Sequence, residues 1–407
     1  MRVADAAGHG FDPDRLRRVD AFLRAKYLDA GLLPHAQLLV ARGGEIVHFF
    51  SEGSAREGGP AVDEGSLFRI ASMTKPVTSV AFMMLVEQGL VALDTPVHHV
   101  LPEFKGVGVY AGGGAGVPFA TSPAEQPMRM VDLLRHTAGL TYTFQNRTNV
   151  DAAYRELELE TLPGARHTLG EFVAILSTLP LEFSPGTSWN YSVATDVLGL
   201  VVERVSGIGL DAFFAQRIFE PLRMRDTFFQ VPADKRDRLT DCYAMHPTHG
   251  RVPYDRGAES RWVEEVRFLS GGGGLVSTSL DYHRFCTMLL NGGALDGARI
   301  LGRKTLDLMT ANHIPGNGDL AGWSKSLFSE AANAGTGFGL GFAVNLDPVR
   351  GMTPGSAGEF YWGGMFSTAF FVDPHERVTM TFMTQLSPSS TYPIRRELKT
   401  MIYAAMT

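Results

Sequence analysis

Apolar and polar positions recur with different periods along the chain, and the changes of period divide it into elements. From Pro13 to Leu28 the apolar residues fall every three or four positions, which predicts an amphipathic helix. The stretch "HAQLLVARGGEIVHFFSEGSA" then carries two apolar runs separated by Arg42-Gly43-Gly44, which predicts a β-hairpin. In "FRIASMTKPVTSVAFMMLVEQGL", Phe68 to Leu90, the residues from Val77 to Val86 are apolar nearly all round, as in a helix buried on most faces. The middle of the chain keeps helical spacing in "MRMVDLLRHTAGL", "LGEFVAILSTLP" and "SVATDVLGLVVERVSGIGLDAFFAQRIF", punctuated by Gly and Pro. Past Gly271 the period shortens again: "GFGLGFAVNL", "GEFYWGG", "STAFFVDP" and "RVTMTFMTQL" read as strands, and "TYPIRRELKTMIYAAM" as a closing helix.

Strands at both ends with helices between predict an α+β fold, an antiparallel sheet flanked by N- and C-terminal helices with an inserted, mainly helical domain. The expected division is residues 1–95 and 270–407 for the α/β domain and 96–269 for the helical one, with the ligand site in the cleft between them. The Gly-rich "SGGGGLVSTSLDYHRF" lacks the lysine and spacing of a phosphate-binding loop and is expected to be a tight, close-packed turn. "KGVGVYAGGGAGVPFATSPAEQP", Lys105 to Pro127, is expected to be mobile surface near the cleft rather than a binding element.

Composition narrows the function classes. The 407 residues are 44% hydrophobic and 20% charged, which excludes disorder as the main state. A net charge of -6 without any block of Lys and Arg offers no footprint for nucleic acid or an anionic membrane, so the expected partner is a small molecule. Two cysteines, Cys242 and Cys286, make no disulfide framework and are expected to be reduced. The first residues carry charges every few positions and no apolar signal region, so the expected compartment is the cytoplasm. Oligomeric state is left open between a monomer and a small homo-oligomer.

Chemistry concentrates at the start of the apolar helix. Pro76 has no N–H to give to the helix ladder and is tolerated only in the first turn, so the helix begins within a few residues of Ser72. Lys75 lies one turn along on the same face and is expected to be buried beside it. A buried ammonium is costly unless partnered, which is how a lysine comes to act as a base, and the positive helix end favours negative charge on the Ser72 oxygen. Seven Lys and 23 Ser give about 0.4 Ser-x-x-Lys spacings by chance, and the chain has one. The spacing alone leaves open a capping serine beside a solvated lysine.

Two further segments bear on that choice. "SPGTSWNYSVATDVLGLVV" puts Tyr191 just before a helix, and "EFYWGGMFSTAFFV" puts a Trp-Gly-Gly turn between late strands. With "SMTK" they resemble the three signatures of the serine β-lactamase and penicillin-binding-protein superfamily. "LLRHTAGL" and "GGGLVSTSLDYHRF" resemble segments of its class C β-lactamase-like branch, and within it the chain is similar to the family VIII carboxylesterases. The resemblance implies a β-lactamase-like fold and a serine carboxylesterase acting on short-chain esters through an acyl-enzyme, without a metal or organic cofactor. It makes Ser72 the nucleophile, and Lys75 with Tyr191 the proton-relay pair, the ammonium favouring the phenolate. It gives the oxyanion hole to the backbone N–H groups of Ser72 and Met365. Trp362, Gly363, Gly364 and Val193 would shape the substrate site, the glycines letting the ligand approach the backbone.

The sequence departs from the β-lactamase pattern where that pattern has an Asn and a Lys; here these positions are Val193 and Trp362. Losing an amide and a cation argues against a charged lactam and for an uncharged ester. Competing readings are a β-lactamase, a D-amino-acid peptidase or amide hydrolase, an acyltransferase to an alcohol, and a non-catalytic scaffold of the same fold. His136 in "RHTAGL" is expected to have a structural role near a helix end. Cys242, His246 and His249 have only loose metal-ligand spacing and no fourth partner, so zinc is not expected.

Overall fold

The computed structural model describes residues 1–325 and 333–407. Its first helix, α1 (Pro13–Leu23), is set by local chemistry: the Asp12 carboxylate accepts from the N–H groups of Asp14 and Arg15, and Pro13 occupies the first position. Leu16, Val19 and Leu23 form its buried stripe, and the helix runs on through a wider turn over Arg24–Leu28. The predicted hairpin is β1 (His35–Arg42) and β2 (Glu45–Gly53). Its turn glycines, Gly43 and Gly44, have φ of 62° and 94°, a region that disfavours any side chain.

The chain returns to this hairpin near its end. Strands β3 (Thr336–Phe338), β4 (Ala343–Asn345), β5 (Phe360–Gly363), β6 (Ala369–Asp373) and β7 (Val378–Met383) complete a seven-stranded sheet. Its order is β3-β4-β5-β6-β7-β1-β2, antiparallel throughout, with Leu39 opposite Thr381 where the two chain ends meet.

Both faces of the sheet are covered, and strand alternation sorts side chains between them. Phe371 of β6 joins Leu38, Val40, Leu16, Val19, Leu398 and Ile402 in a core shared with α1 and the closing helix, here named after α2 to α4 as α5 (Ile394–Ala404). Phe370 and Val372 join the larger core on the other face, built on α2 (Thr74–Glu87), α3 (Ala194–Ser206) and α4 (Ser279–Leu290). The chain thus has the expected α+β architecture, an antiparallel sheet with the two terminal helices on one side.

Between residues 96 and 269 the structure contains short helices, among them Met130–Leu134 and Leu169–Leu176, and also two hairpins that periodicity did not announce. Lys105 to Pro127, expected as mobile surface, holds the antiparallel pair Val109–Gly114 and Val117–Ser122. Gly113, Gly114 and Gly116 supply the left-handed backbone of that turn, and none of the hairpin lines the large cavity described below. The second pair, Cys242–His246 and Gly250–Asp255, is extended by Leu386–Ser387, so this segment is tied to the end of the sheet domain. Among the described residues no helix is long and apolar enough to cross a membrane.

Burial of imidazoles makes stability depend on pH. Burial lowers the pKa of His35 and of His283 to about 4. Such a group stays neutral in the fold while the unfolded chain protonates near 6.5, so stability present above pH 6.5 is lost as pH falls towards 4. Asp281, raised to about 6 by burial, acts in the opposite sense. Replacing His35 by Gln should therefore gain on wild type by roughly 3 kcal/mol between pH 7.5 and 4. Urea unfolding at a series of pH values checks this, and parallel pH curves for the two proteins would exclude it.

Candidate active site

The chain enters α2 through a tight turn, Ala71–Met73, that carries Ser72. Ala71 holds φ at 44°, a left-handed conformation a non-glycine residue adopts at a cost of about 1 kcal/mol. The turn is fixed from three sides. Ile70 N–H donates to Leu275 O, Leu275 N–H donates to Thr74 Oγ1, and Tyr282 of α4 donates its hydroxyl to Met73 O. Pro76 sits in the first turn of α2, and the helix is buried from Thr74 through Leu85.

Lys75 is 1% exposed. Its ammonium donates to Ser72 Oγ at 3.1 Å and to the Gly272 carbonyl at 2.7 Å. It also lies 4.6 Å from the ring centre of Tyr191 and 5.5 Å from that of Tyr142, where aromatic faces favour a cation. The Gly-rich segment is the close-packed turn its composition predicts: Thr78 donates to Gly271 O, and a Cβ on Gly271 or Gly272 would collide with α3.

Tyr191 precedes α3 and donates its hydroxyl to Ser72 Oγ at 2.7 Å. Ser72, Lys75 and Tyr191, which lie up to 119 positions apart, therefore converge on one oxygen. His136 backs the phenol, with ring centres 5.0 Å apart, and its Nδ1 is 3.3 Å from Ser192 Oγ. Burial, and then the Lys75 charge, hold His136 well below its ordinary pKa, so it is a neutral packing and hydrogen-bonding group.

The third segment approaches from the sheet. Trp362 on β5 packs against Tyr191 at 5.4 Å and against Phe338 at 5.4 Å. Beyond it Gly363, Gly364 and Met365 run along the Ser72 turn, with Gly364 N–H donating to Thr368 O and Thr368 Oγ1 donating to Ile70 O. The reason for glycine differs from the expected one, since protein atoms rather than ligand take the space. A Cβ on Gly364 would stand 2.4 Å from Ile70 O, and one on Gly363 would stand 2.6 Å from the Arg395 guanidinium. Among the described residues no group accepts a hydrogen bond from the N–H of Ser72 or of Met365. Two N–H groups without acceptors on one cavity wall, that of Ser72 at a helix start, can receive an oxyanion.

These groups border a cavity of about 820 Å³ whose wall includes Ser72, Tyr142, Tyr191, Trp362, Gly364 and Met365. Val193 does not belong to it. The residue is fully buried at the start of α3, where its N–H donates to Thr141 O, so the expected substrate contact is not made. Sequence reasoning missed Tyr142 and Phe144, whose rings stack at 4.8 Å beside the site; "TYTF" directly after the quoted "RHTAGL" was the available signal. Burial raises the Tyr142 pKa well above the ordinary phenol value, so it remains a neutral wall residue. Cys242 and Cys286 are free and buried, and no group of three or more metal-ligating side chains is assembled among the described residues.

The β-lactamase family pattern matches residues 23–402. Protein Rv1367c of Mycobacterium tuberculosis is 34% identical over 364 residues, 88% of each chain. Esterase EstB of Burkholderia gladioli is 31% identical over 385 residues, 91% of this chain and 90% of EstB. Among solved structures, EstCE1, described as a hydrolase with promiscuous acyltransferase activity, superposes with a TM-score of 0.79 at 26% identity, covering 96% of this chain and 98% of EstCE1.

The close approach at Gly364 gives a direct test of how the sheet edge and the Ser72 turn depend on each other. Because backbone atoms cannot yield as a flexible side chain can, Gly364→Ala should push Met365 away from the turn. Labelling of Ser72 by a fluorophosphonate should slow at least about tenfold, with stability reduced by about 1–3 kcal/mol. Intact-mass kinetics and thermal unfolding measure both, and an unchanged labelling rate would show that this edge does not shape the site.

Proposed function

The chain belongs to the β-lactamase family and is a serine hydrolase, and from that premise we propose that it is a carboxylesterase of the family VIII type, hydrolysing short-chain esters through an acyl-enzyme on Ser72. The observation that carries the reading is the convergence on Ser72 Oγ of Tyr191 at 2.7 Å and Lys75 at 3.1 Å. In the reactive form the Ser72 proton passes to the Tyr191 oxygen, held as phenolate by the Lys75 ammonium, while Oγ attacks the ester carbon. The carbonyl oxygen takes up the negative charge facing the N–H groups of Ser72 and Met365. Tyr191 then returns the proton to the departing alkoxide, and the same pair takes a proton from the water that releases the acid.

An uncharged ester is favoured by what surrounds the serine. Trp362 stands where the lactamase pattern has a cation. Among the described residues the four cations on the cavity wall are engaged: Arg155 with Asp151, Arg395 with the carbonyls of Gly364 and Thr368, Arg396 with Met352 O, and Lys399 with Glu359. A substrate carboxylate would have to displace one of these partners to be neutralised. Transfer of the acyl group to an alcohol uses the same intermediate, and the description of EstCE1 names both outcomes. A cytoplasmic setting, with the two free cysteines, and a small-molecule ester as substrate of a monomer or small homo-oligomer complete the reading.

The first test is intact mass after exposure to a fluorophosphonate: one adduct on wild type, none on Ser72→Ala. Turnover of a p-nitrophenyl butyrate should exceed that of a chromogenic cephalosporin and of a D-alanine amide, and a faster cephalosporin would overturn the ester assignment. Tyr191→Phe should lower kcat on the ester by about 10²-fold or more with KM little changed. Unchanged turnover in that variant would remove Tyr191 from the relay.

A further inference from the structure

The arrangement around Lys75 contains a carboxylate that the reading above does not use. The Lys75 ammonium bonds two neutral acceptors, Ser72 Oγ and Gly272 O, and rests on two phenol rings. Gly272 is bonded on its other side too: its N–H donates to Asp196 Oδ1 at 3.0 Å. Ser270 Oγ donates to the same carboxylate oxygen at 2.5 Å. Asp196 is fully buried in the first turn of α3, and its second oxygen, Oδ2, has no hydrogen-bond partner among the described residues. That oxygen lies against Gly272 so closely that a Cβ there would be 2.5 Å away.

A buried carboxylate with a bare oxygen is costly unless a positive charge is near. Burial favours the protonated form of Asp196, and the Lys75 charge is the largest opposing influence. The other titratable groups around the pair do not supply a counter-charge. His136 and Tyr142 are held neutral by burial, and Asp132 and Arg135 pair with each other at 2.9 Å. On α3 itself, Glu203 accepts from Leu210 N–H at the far end.

We propose that Asp196 is a positioning residue for the relay: through Gly272 it fixes the carbonyl that Lys75 bonds, and its charge keeps the Lys75 ammonium and Tyr191 in the protonation state that Ser72 requires. Val193, where the lactamase pattern has an amide, lies one turn before Asp196 on the same helix and offers Lys75 no polar group. The carboxylate acts one turn further along, from behind the Gly-rich turn rather than from within the cavity. The inference rests on the reading of Ser72 as nucleophile with Lys75 and Tyr191 as proton carriers.

Asp196→Asn tests it, because the amide keeps an acceptor for Gly272 N–H and Ser270 while removing the charge. Loss of a nearby negative charge lowers the proton affinity of both members of the pair. The whole profile of kcat/KM against pH should therefore move to lower pH by about one unit, with kcat at pH 8 reduced about tenfold and KM within about twofold of wild type. A folded Asp196→Asn enzyme whose profile keeps its wild-type limbs overturns the proposal, whatever its rate. Wild type that takes no fluorophosphonate adduct overturns the underlying reading instead, so the two failures are distinguishable. Should the variant not fold, wild type decides. In 13C-aspartate-labelled enzyme, the buried carboxyl resonance that shifts on Ser270→Ala must be that of an ionised group at pH 7, and a protonated one overturns the proposal.

Discussion

Everything at the centre of this molecule is arranged around one buried ammonium. Lys75 sits on a helix whose residues from Thr74 to Leu85 are all buried, a setting in which an unsolvated charge is unfavourable by several kcal/mol. The fold offsets that cost with a backbone carbonyl, a serine oxygen and the faces of two phenols, which come from four separated parts of the chain. Each of these partners needs its own support. The Gly272 carbonyl requires a turn without side chains, Tyr191 requires a start of α3 backed by His136, and the Ser72 turn requires the strained φ of Ala71. The serine oxygen is where these requirements meet.

A second buried cation holds the frame in which the first can work. Arg69, three residues before Ser72, is fully buried and donates to Asp255, Thr240 O, Gln385 and Ser260, with its guanidinium 5.2 Å from the ring centre of Trp262. These groups belong to the second hairpin, the residues on either side of it and the end of the sheet. A buried ion pair of this kind adds little net stability compared with apolar packing, but its geometry admits few alternatives. It ties the residues entering the Ser72 turn to the segment between residues 240 and 260. Arg395 does similar work at the other edge, where it fills the space left by Gly363 and holds the carbonyls of Gly364 and Thr368.

Local signals were legible in the sequence wherever local chemistry decides the outcome. The β1–β2 hairpin followed from Gly43 and Gly44, the start of α2 from Pro76, and the late strands from short apolar runs between turns. The strands at residues 242–255 were not legible, because the partner that completes their sheet, Leu386–Ser387, is far away in sequence. The hairpin within residues 105–127 has one half-exposed, Gly-rich strand and one exposed strand, so it lacks the alternation that marks a half-buried strand. At the site, the motif residues Ser72, Lys75 and Tyr191 could be named, but Tyr142 and Asp196 could not, since nothing in their own neighbourhoods points to Lys75. Val193 shows the converse error. Position in a motif does not fix direction, and here the start of α3 turns the side chain into the core.

The proposed ester preference follows from separating what the serine does from what the wall recognises. Acylation needs a proton carrier, an oxyanion site and an open approach; Tyr191 and Lys75 lie within hydrogen-bond reach of Ser72 Oγ, which opens on the cavity. Recognition of an anionic substrate needs a free cation facing that approach, and the cations of the cavity wall already have partners. An apolar wall of Trp362, Tyr142 and Phe144 contributes through burial of area, which stabilises any acyl or alcohol group of suitable shape by about 25 cal/mol per Å² without demanding a charge. Such a wall discriminates by fit and sets no electrostatic requirement. The same chemistry placed behind a free ammonium would select anions; placed behind Trp362, the proposed chemistry would favour neutral esters, and the acceptor that ends the proposed cycle would be whichever hydroxyl reaches the acyl-enzyme first.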